Sequence, residues 1–159
     1  MSETCGHDHA GPAGMAGRDL DAALAAAAAR CEAVGQRMTA PRRRVLELLL
    51  KAGGPVKAYD LIGAYGTDGA AKPPTVYRAL EFLESQGLAH RIASISAYTA
   101  CTHDATDHAA AFLICDCCGA TVEIAPPDAA AMRRAAEGQG YRIQRTTIEA
   151  HGLCGACAA

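Results

Sequence analysis

No stretch of the chain approaches the roughly 18 apolar residues that a membrane span requires, so a soluble protein with no membrane partner is predicted. An export signal is missing as well: MSETCGHDHA has no apolar core, and ALAAAAARCEA carries polar residues at helical spacing. Eight cysteines in a secreted chain would suggest a disulfide framework, but without a signal peptide the expected compartment is a reducing cytoplasm. Strong charge is lacking too. The net charge is −2, with 11 Lys and Arg against 10 Asp and Glu through Arg91 and 4 against 7 beyond it, a weak asymmetry that licenses no nucleic-acid reading alone.

What is present suffices for one ordinary domain or two small ones in 159 residues, half of them hydrophobic. Residues 1–17 contain glycines, a proline and no periodicity, the pattern of a disordered tail. An alanine-rich helix is predicted from about Asp19 to Val34, ending at Gly35. A second opens at Thr39 with Pro41 in its first turn, and Val45, Leu46, Leu48 and Leu49 mark its buried face up to Gly53. A short third helix covers Ala58 to about Tyr65, and after the turn GTDGAAK a fourth runs from about Pro73 to Gln86 with Val76, Leu80 and Leu83 at helical spacing. LAHRIASISAYTA then alternates like a hairpin turning near Ser94. Helices followed by a hairpin make a winged helix-turn-helix, whose second paired helix enters the major groove of DNA. AAFLIC, ATVEIA, a helix from about Pro127 to Gly138 and YRIQRTTIEA form a small α+β module, with Val122 and Ile124 expected in its core and Glu123 on the opposite side of the strand.

Cys115, Cys118, Cys154 and Cys157 form a C-x2-C…C-x2-C set, the spacing by which two tight turns present four thiolates tetrahedrally to zinc. Gly119 and Gly155 can take the positive φ such turns often need. Cys117 is the odd one out. Redox-active dithiols are the rival reading, disfavoured because the pairs close a small module that needs a staple. A second group comprises His90, Cys101, His103, His108, Glu123 and His151. His90 is expected opposite Thr99, with Cys101 on the same face, but spacing does not choose four ligands from the six. Cys5, His7 and His9 in the tail are incidental ligands of a flexible segment or a further ion site, and Cys31 is expected as a small buried residue.

KPPTVYRALEFLESQGLAHRI, AFLICDCCGATVE and IEAHGLCGAC closely resemble the ferric uptake regulator family, and within it the zinc uptake regulator subgroup, over roughly Leu20 to Cys157. The resemblance implies a winged-helix DNA-binding core at 18–88, a wing hairpin and hinge at 89–101, and a zinc-binding dimerisation domain at 102–159. It implies structural zinc on Cys115, Cys118, Cys154 and Cys157, and regulatory zinc on His90, Cys101, His108 and Glu123, hence two zinc ions per chain. Two imidazoles, a thiolate and a carboxylate suit zinc better than an ion that prefers six oxygens. The stretch before His108 also lacks the dense histidine cluster of iron-type members.

For DNA, the resemblance implies contacts from Tyr77 and Arg78, with packing beneath the helix as the alternative for Tyr77. Lys72 is a candidate phosphate ligand, and one or two of Arg42, Arg43 and Arg44 are expected to face phosphate. The implied protein is a homodimeric, zinc-responsive repressor of zinc uptake genes that binds double-stranded operator DNA with zinc as corepressor. No small-molecule substrate is expected, and no enzyme activity, because the zinc sites are fully ligated by protein. The rivals are the same fold sensing iron, manganese or peroxide, and a zinc buffer or carrier.

Overall fold

The computed structural model describes residues 13–66, 72–101 and 109–158, which divide into two compact units separated between the second and third of these segments. The first contains α1 (Gly17–Ala33), α2 (Ala40–Ala52), β1 (Val56–Lys57), α3 (Ala58–Tyr65), α4 (Pro73–Ser85), β2 (Ala89–Ile92) and β3 (Ala97–Ala100). The second contains β4 (Ala110–Cys115), β5 (Thr121–Ile124), α5 (Ala129–Gly138) and β6 (Thr147–Gly152). The winged helix and the α+β module expected from the sequence are both there.

Helix α1 buries Leu20, Leu24, Ala27 and Cys31, one stripe at helical spacing. It meets Val45, Leu46, Leu49 and Leu50 of α2, Leu61 of α3, and Val76, Ala79, Leu80, Phe82 and Leu83 of α4 in a single core. Cys31 is fully enclosed, and burial pushes its thiol above the ordinary range. Pro41, and the pair Pro73 and Pro74, open α2 and α4, where a missing N–H costs no helical hydrogen bond. Gly53 ends α2 at φ +66°, donating its N–H to the Leu49 carbonyl, and Gly87 lies just beyond α4 at φ +64°. Thr39 stands at the N-cap of α2, though its side chain makes no capping bond.

Strands β2 and β3 pair antiparallel with His90 opposite Thr99, the expected register, around a turn at 93–96. Strand β1 has no counterpart in the sequence reading: two residues pair Val56 with Tyr98 and Lys57 with Ala97, giving the order β1-β3-β2. In the second unit the order is β5-β4-β6, antiparallel between β4 and β5 and parallel between β4 and β6. Parallel neighbours need a crossover connection, and β5 with α5 provides it.

One expectation is overturned here. Alternation predicts Val122 in the core, yet it is 57% exposed, whereas Glu123 is half-buried. The register explains it. Glu123 stands opposite the enclosed Phe112, while Val122 stands opposite Leu113, itself 46% exposed, so the two form an exposed patch on the other face of the sheet.

Because Leu49 is 1% exposed at the centre of the helical core, Leu49→Ala is expected to cost about 2–5 kcal/mol. Urea unfolding should show the loss as a lower midpoint with an unchanged slope.

Candidate metal centre and nucleic-acid interface

Strands β4 and β6 run parallel with Ile114 beside His151 and Cys115 beside Gly152, so the turns that follow leave the sheet at the same end. The first turn closes through the Gly119 N–H to the Cys115 carbonyl and the Cys115 N–H to the Ala120 carbonyl, both at 2.9 Å. Gly119 takes φ +75°, as expected, but Gly155 does not enter the positive-φ region. The second turn closes instead through the N–H groups of Cys157 and Ala158, both donating to the Cys154 carbonyl at 2.9 Å.

This convergence brings the sulfurs of Cys115, Cys118, Cys154 and Cys157 within 4.8 Å of one another. Four sulfurs placed about 2.3 Å from a tetrahedral centre stand about 3.8 Å apart, and Cys118 and Cys154 are separated by 3.8 Å. The donor set and its spacing therefore fit zinc. Cys117 lies outside this group.

The thiols differ in acidity. The N–H groups of Cys118 and Cys154, the latter 3.3 Å from the sulfur, draw the Cys115 thiol down to about 6. Loss of hydration, reinforced by the thiols of Cys154, Cys118 and Cys115, pushes Cys157 up to about 12.

His90 and Cys101 form a second pair within the first unit. His90 is 6% exposed on β2. The Cys101 N–H donates to the Leu88 carbonyl at 3.0 Å, extending the ladder by one step and setting the two ligand atoms within 4.8 Å of each other. Glu123 lies on β5 in the second unit, half-buried. His103, His108, Cys5, His7 and His9 lie outside the described residues. His151 is not among the four thiols; its Nδ1 is 2.8 Å from a carboxylate oxygen of Asp116.

The outer face of α4 carries Pro74, Tyr77, Arg78 and Glu81, all exposed, while Val76, Ala79, Leu80 and Leu83 hold the opposite face in the core. Tyr77 is 46% exposed and does not pack beneath the helix. Lys72 is exposed at the N-cap. The three arginines of α2, alike in sequence, separate. Arg42 lies over the Phe82 ring, 3.4 Å from its centroid, and donates to the Arg37 carbonyl. Arg44 donates to the carbonyls of Ala64 and Tyr65 at the end of α3 and pairs with Glu47 at 3.0 Å. Arg43 is exposed. Tyr59, 81% exposed in the first turn of α3, is a further aromatic beside this helix pair that the sequence reading does not single out. A single aromatic without periodic neighbours offers no signal before the helix is placed.

Two outcomes are expected. Since a raised thiol binds its proton at neutral pH, zinc must displace protons from the four-cysteine set. Affinity should rise with pH toward the raised Cys157 value and fall more steeply below about 6, where Cys115 also protonates. Competition with a calibrated chelator across this range would measure it. Arg43→Ala is expected to lower the salt slope of duplex binding by about one phosphate contact, whereas Arg44→Ala should lower thermal stability and leave that slope unchanged.

The ferric uptake regulator family matches residues 33–151. The zinc uptake regulation protein of Escherichia coli (strain K12) is 41% identical over 137 residues, covering 84% of this chain and 80% of that protein. A zinc uptake regulator complexed with zinc and DNA superimposes with a TM-score of 0.79 at 38% identity, covering 89% of this chain and 97% of that one. Holo XcZur superimposes with a TM-score of 0.74 at 40% identity, covering 87% and 98% respectively. With the thiol set, the winged helix and these likenesses in hand, the chain belongs to the ferric uptake regulator family.

Proposed function

We propose that the protein is a homodimeric, zinc-responsive repressor that binds double-stranded operator DNA at zinc uptake genes, in the cytoplasm, with zinc as corepressor and two zinc ions per chain. The observation that carries this reading is the pair of His90 on β2 and Cys101 just past β3, in the hairpin that follows the helix exposing Tyr77 and Arg78. Metal ligands so close in sequence and structure to a DNA-reading helix give that helix a reason to respond to metal. The relatives named for zinc uptake, and the one solved with zinc and DNA, support the same signal and the same partner.

In this reading His90 and Cys101 are joined by His108 and Glu123. When bound, zinc supplies a tetrahedral centre that accepts sulfur, nitrogen and oxygen donors together. His90 and Cys101 belong to the winged helix and Glu123 to the α+β module, so four ligands drawn together restrict the hinge between the two. Tyr77, Arg78, Lys72 and Arg43 then meet DNA in one orientation instead of many, which lowers the entropic cost of binding. Linkage requires reciprocity: if zinc tightens operator binding, operator must tighten zinc binding by the same factor. Cys115, Cys118, Cys154 and Cys157 have a different task, holding the ends of β4 and β6 together. The exposed apolar residues Leu113 and Val122, neighbours on one face of the sheet, support pairing with a second copy of the chain. No catalytic role is assigned to either site.

The decisive experiment is operator binding at buffered free concentrations of zinc, iron(II) and manganese(II). Half-saturation at far lower free zinc than either other ion is the expected result, and equal response to all three would refute zinc sensing. Cys101→Ala should remain a folded dimer holding one zinc per chain yet lose most zinc-dependent operator affinity. Cys154→Ala should instead lose dimer or fold, because metal-binding energy in such a module is folding energy. Sedimentation and metal counting on both variants distinguish the roles. Arg78→Ala is expected to weaken specific binding by about 1–3 kcal/mol if its contact is bidentate to a base, read by titration against operator and scrambled duplexes.

A further inference from the structure

We propose that Asp116 and His151 form a clasp that positions the two cysteine pairs against each other and slows the escape of the ion they hold. The inference rests on reading Cys115, Cys118, Cys154 and Cys157 as a zinc site and concerns what keeps that site assembled.

Asp116 lies inside the first cysteine loop, between Cys115 and Cys118, and His151 lies on β6 three residues before Cys154. Asp116 makes two hydrogen bonds that join these segments, beside the one from the Cys154 N–H to the Cys115 sulfur. The Asp116 N–H donates to the Gly152 carbonyl at 2.8 Å, continuing the β4–β6 ladder one step past Cys115. The side chains meet at 2.8 Å between His151 Nδ1 and Asp116 Oδ1. A carboxylate only accepts, so the imidazole donates from Nδ1. The register permits this: Ile114 is opposite His151, and Asp116, two residues on, shares that side of the strand.

The location gives the contact its consequence. Neither group belongs to the four-sulfur set, so both are available as restraints. Strand β6 has little packing to hold its end in place; Ala150, His151, Gly152 and Leu153 are all exposed. Where apolar burial is scarce, separation of the two loops is opposed by the hydrogen bonds that bridge them. An ion held by four thiolates would leave by successive loss of sulfurs, and contacts that hold the two loops together would slow that loss. Groups that orient ligands from just outside a metal site commonly change its affinity. This pair is solvent-exposed, so the effect expected is that of one net hydrogen bond.

The test uses full-length, zinc-loaded protein. Mild chelation first empties the weaker site, and the retained zinc is counted; wild-type protein that retains none would overturn the four-thiolate reading, and the clasp with it. With that zinc retained, Asp116→Ala and His151→Ala should release it to excess EDTA roughly threefold to tenfold faster than wild type, and the double variant no faster than the singles. Asp116→Asn keeps an acceptor oxygen and His151→Asn keeps an N–H near the Nδ1 position, so both should stay within about twofold of wild type. Wild-type release rates in both alanine variants would overturn the clasp. So would asparagine variants as fast as the alanine ones, or loss of fold in either alanine variant with zinc bound, which would make the pair a general folding requirement.

Discussion

The in-register parallel pairing that sets Cys115 beside Gly152 brings the ends of β4 and β6 to the same height, and the α+β unit depends on it. Each strand delivers one cysteine pair at that end. A slip of one residue would turn every side chain of β6 to the other face and carry Cys154 and Cys157 away from their partners. A parallel pair has no hairpin to set its register, because the connection through β5 and α5 is long. The polar and sulfur contacts beyond the strand ends therefore matter more here than in a hairpin: the Asp116 N–H on the Gly152 carbonyl and the Cys154 N–H on the Cys115 sulfur both lock the same alignment.

The winged helix works by a different constraint. Its core is a continuous body of apolar side chains from four helices and the β2–β3 hairpin, and α4 contributes five buried residues to it while presenting Tyr77 and Arg78 outward. Rigid attachment on one face fixes the orientation of the opposite face, as the proposed contact with a duplex would require. Arg30 donates to the Gln86 carbonyl at the end of α4, Arg42 covers Phe82 of the same helix, and Arg44 closes the end of α3. These cations act on helix termini and an aromatic face, where the C-terminal carbonyls carry partial negative charge.

Much of this was legible in advance because its causes are local. Prolines and glycines bounded α2 and α4, helical spacing of leucines identified their buried faces, and alternation around Ser94 set the hairpin register that puts Thr99 opposite His90. The C-x2-C pairs announced the four-thiol cluster because two-residue spacing is a property of the turn itself. Val122 shows where that approach failed: alternation separates the two faces of a strand but does not say which one is covered. Strand β1 failed for another reason, since two residues carry no period and owe their conformation to the neighbouring Tyr98 and Ala97.

By itself, then, the sequence determined the elements other than β1, the spacing of the cysteine pairs and the likeness of its motifs to a metal-responsive regulator family, all of which follow from short-range spacing and residue type. Tertiary structure alone decided which of three adjacent arginines is exposed, that Asp116 meets His151, and that Leu113 and Val122 lie exposed. Each of these depends on residues distant in the chain, 20 apart for Arg44 and Ala64 and 35 for Asp116 and His151. Such contacts are selected by packing and register over the whole unit, and a local pattern contains neither.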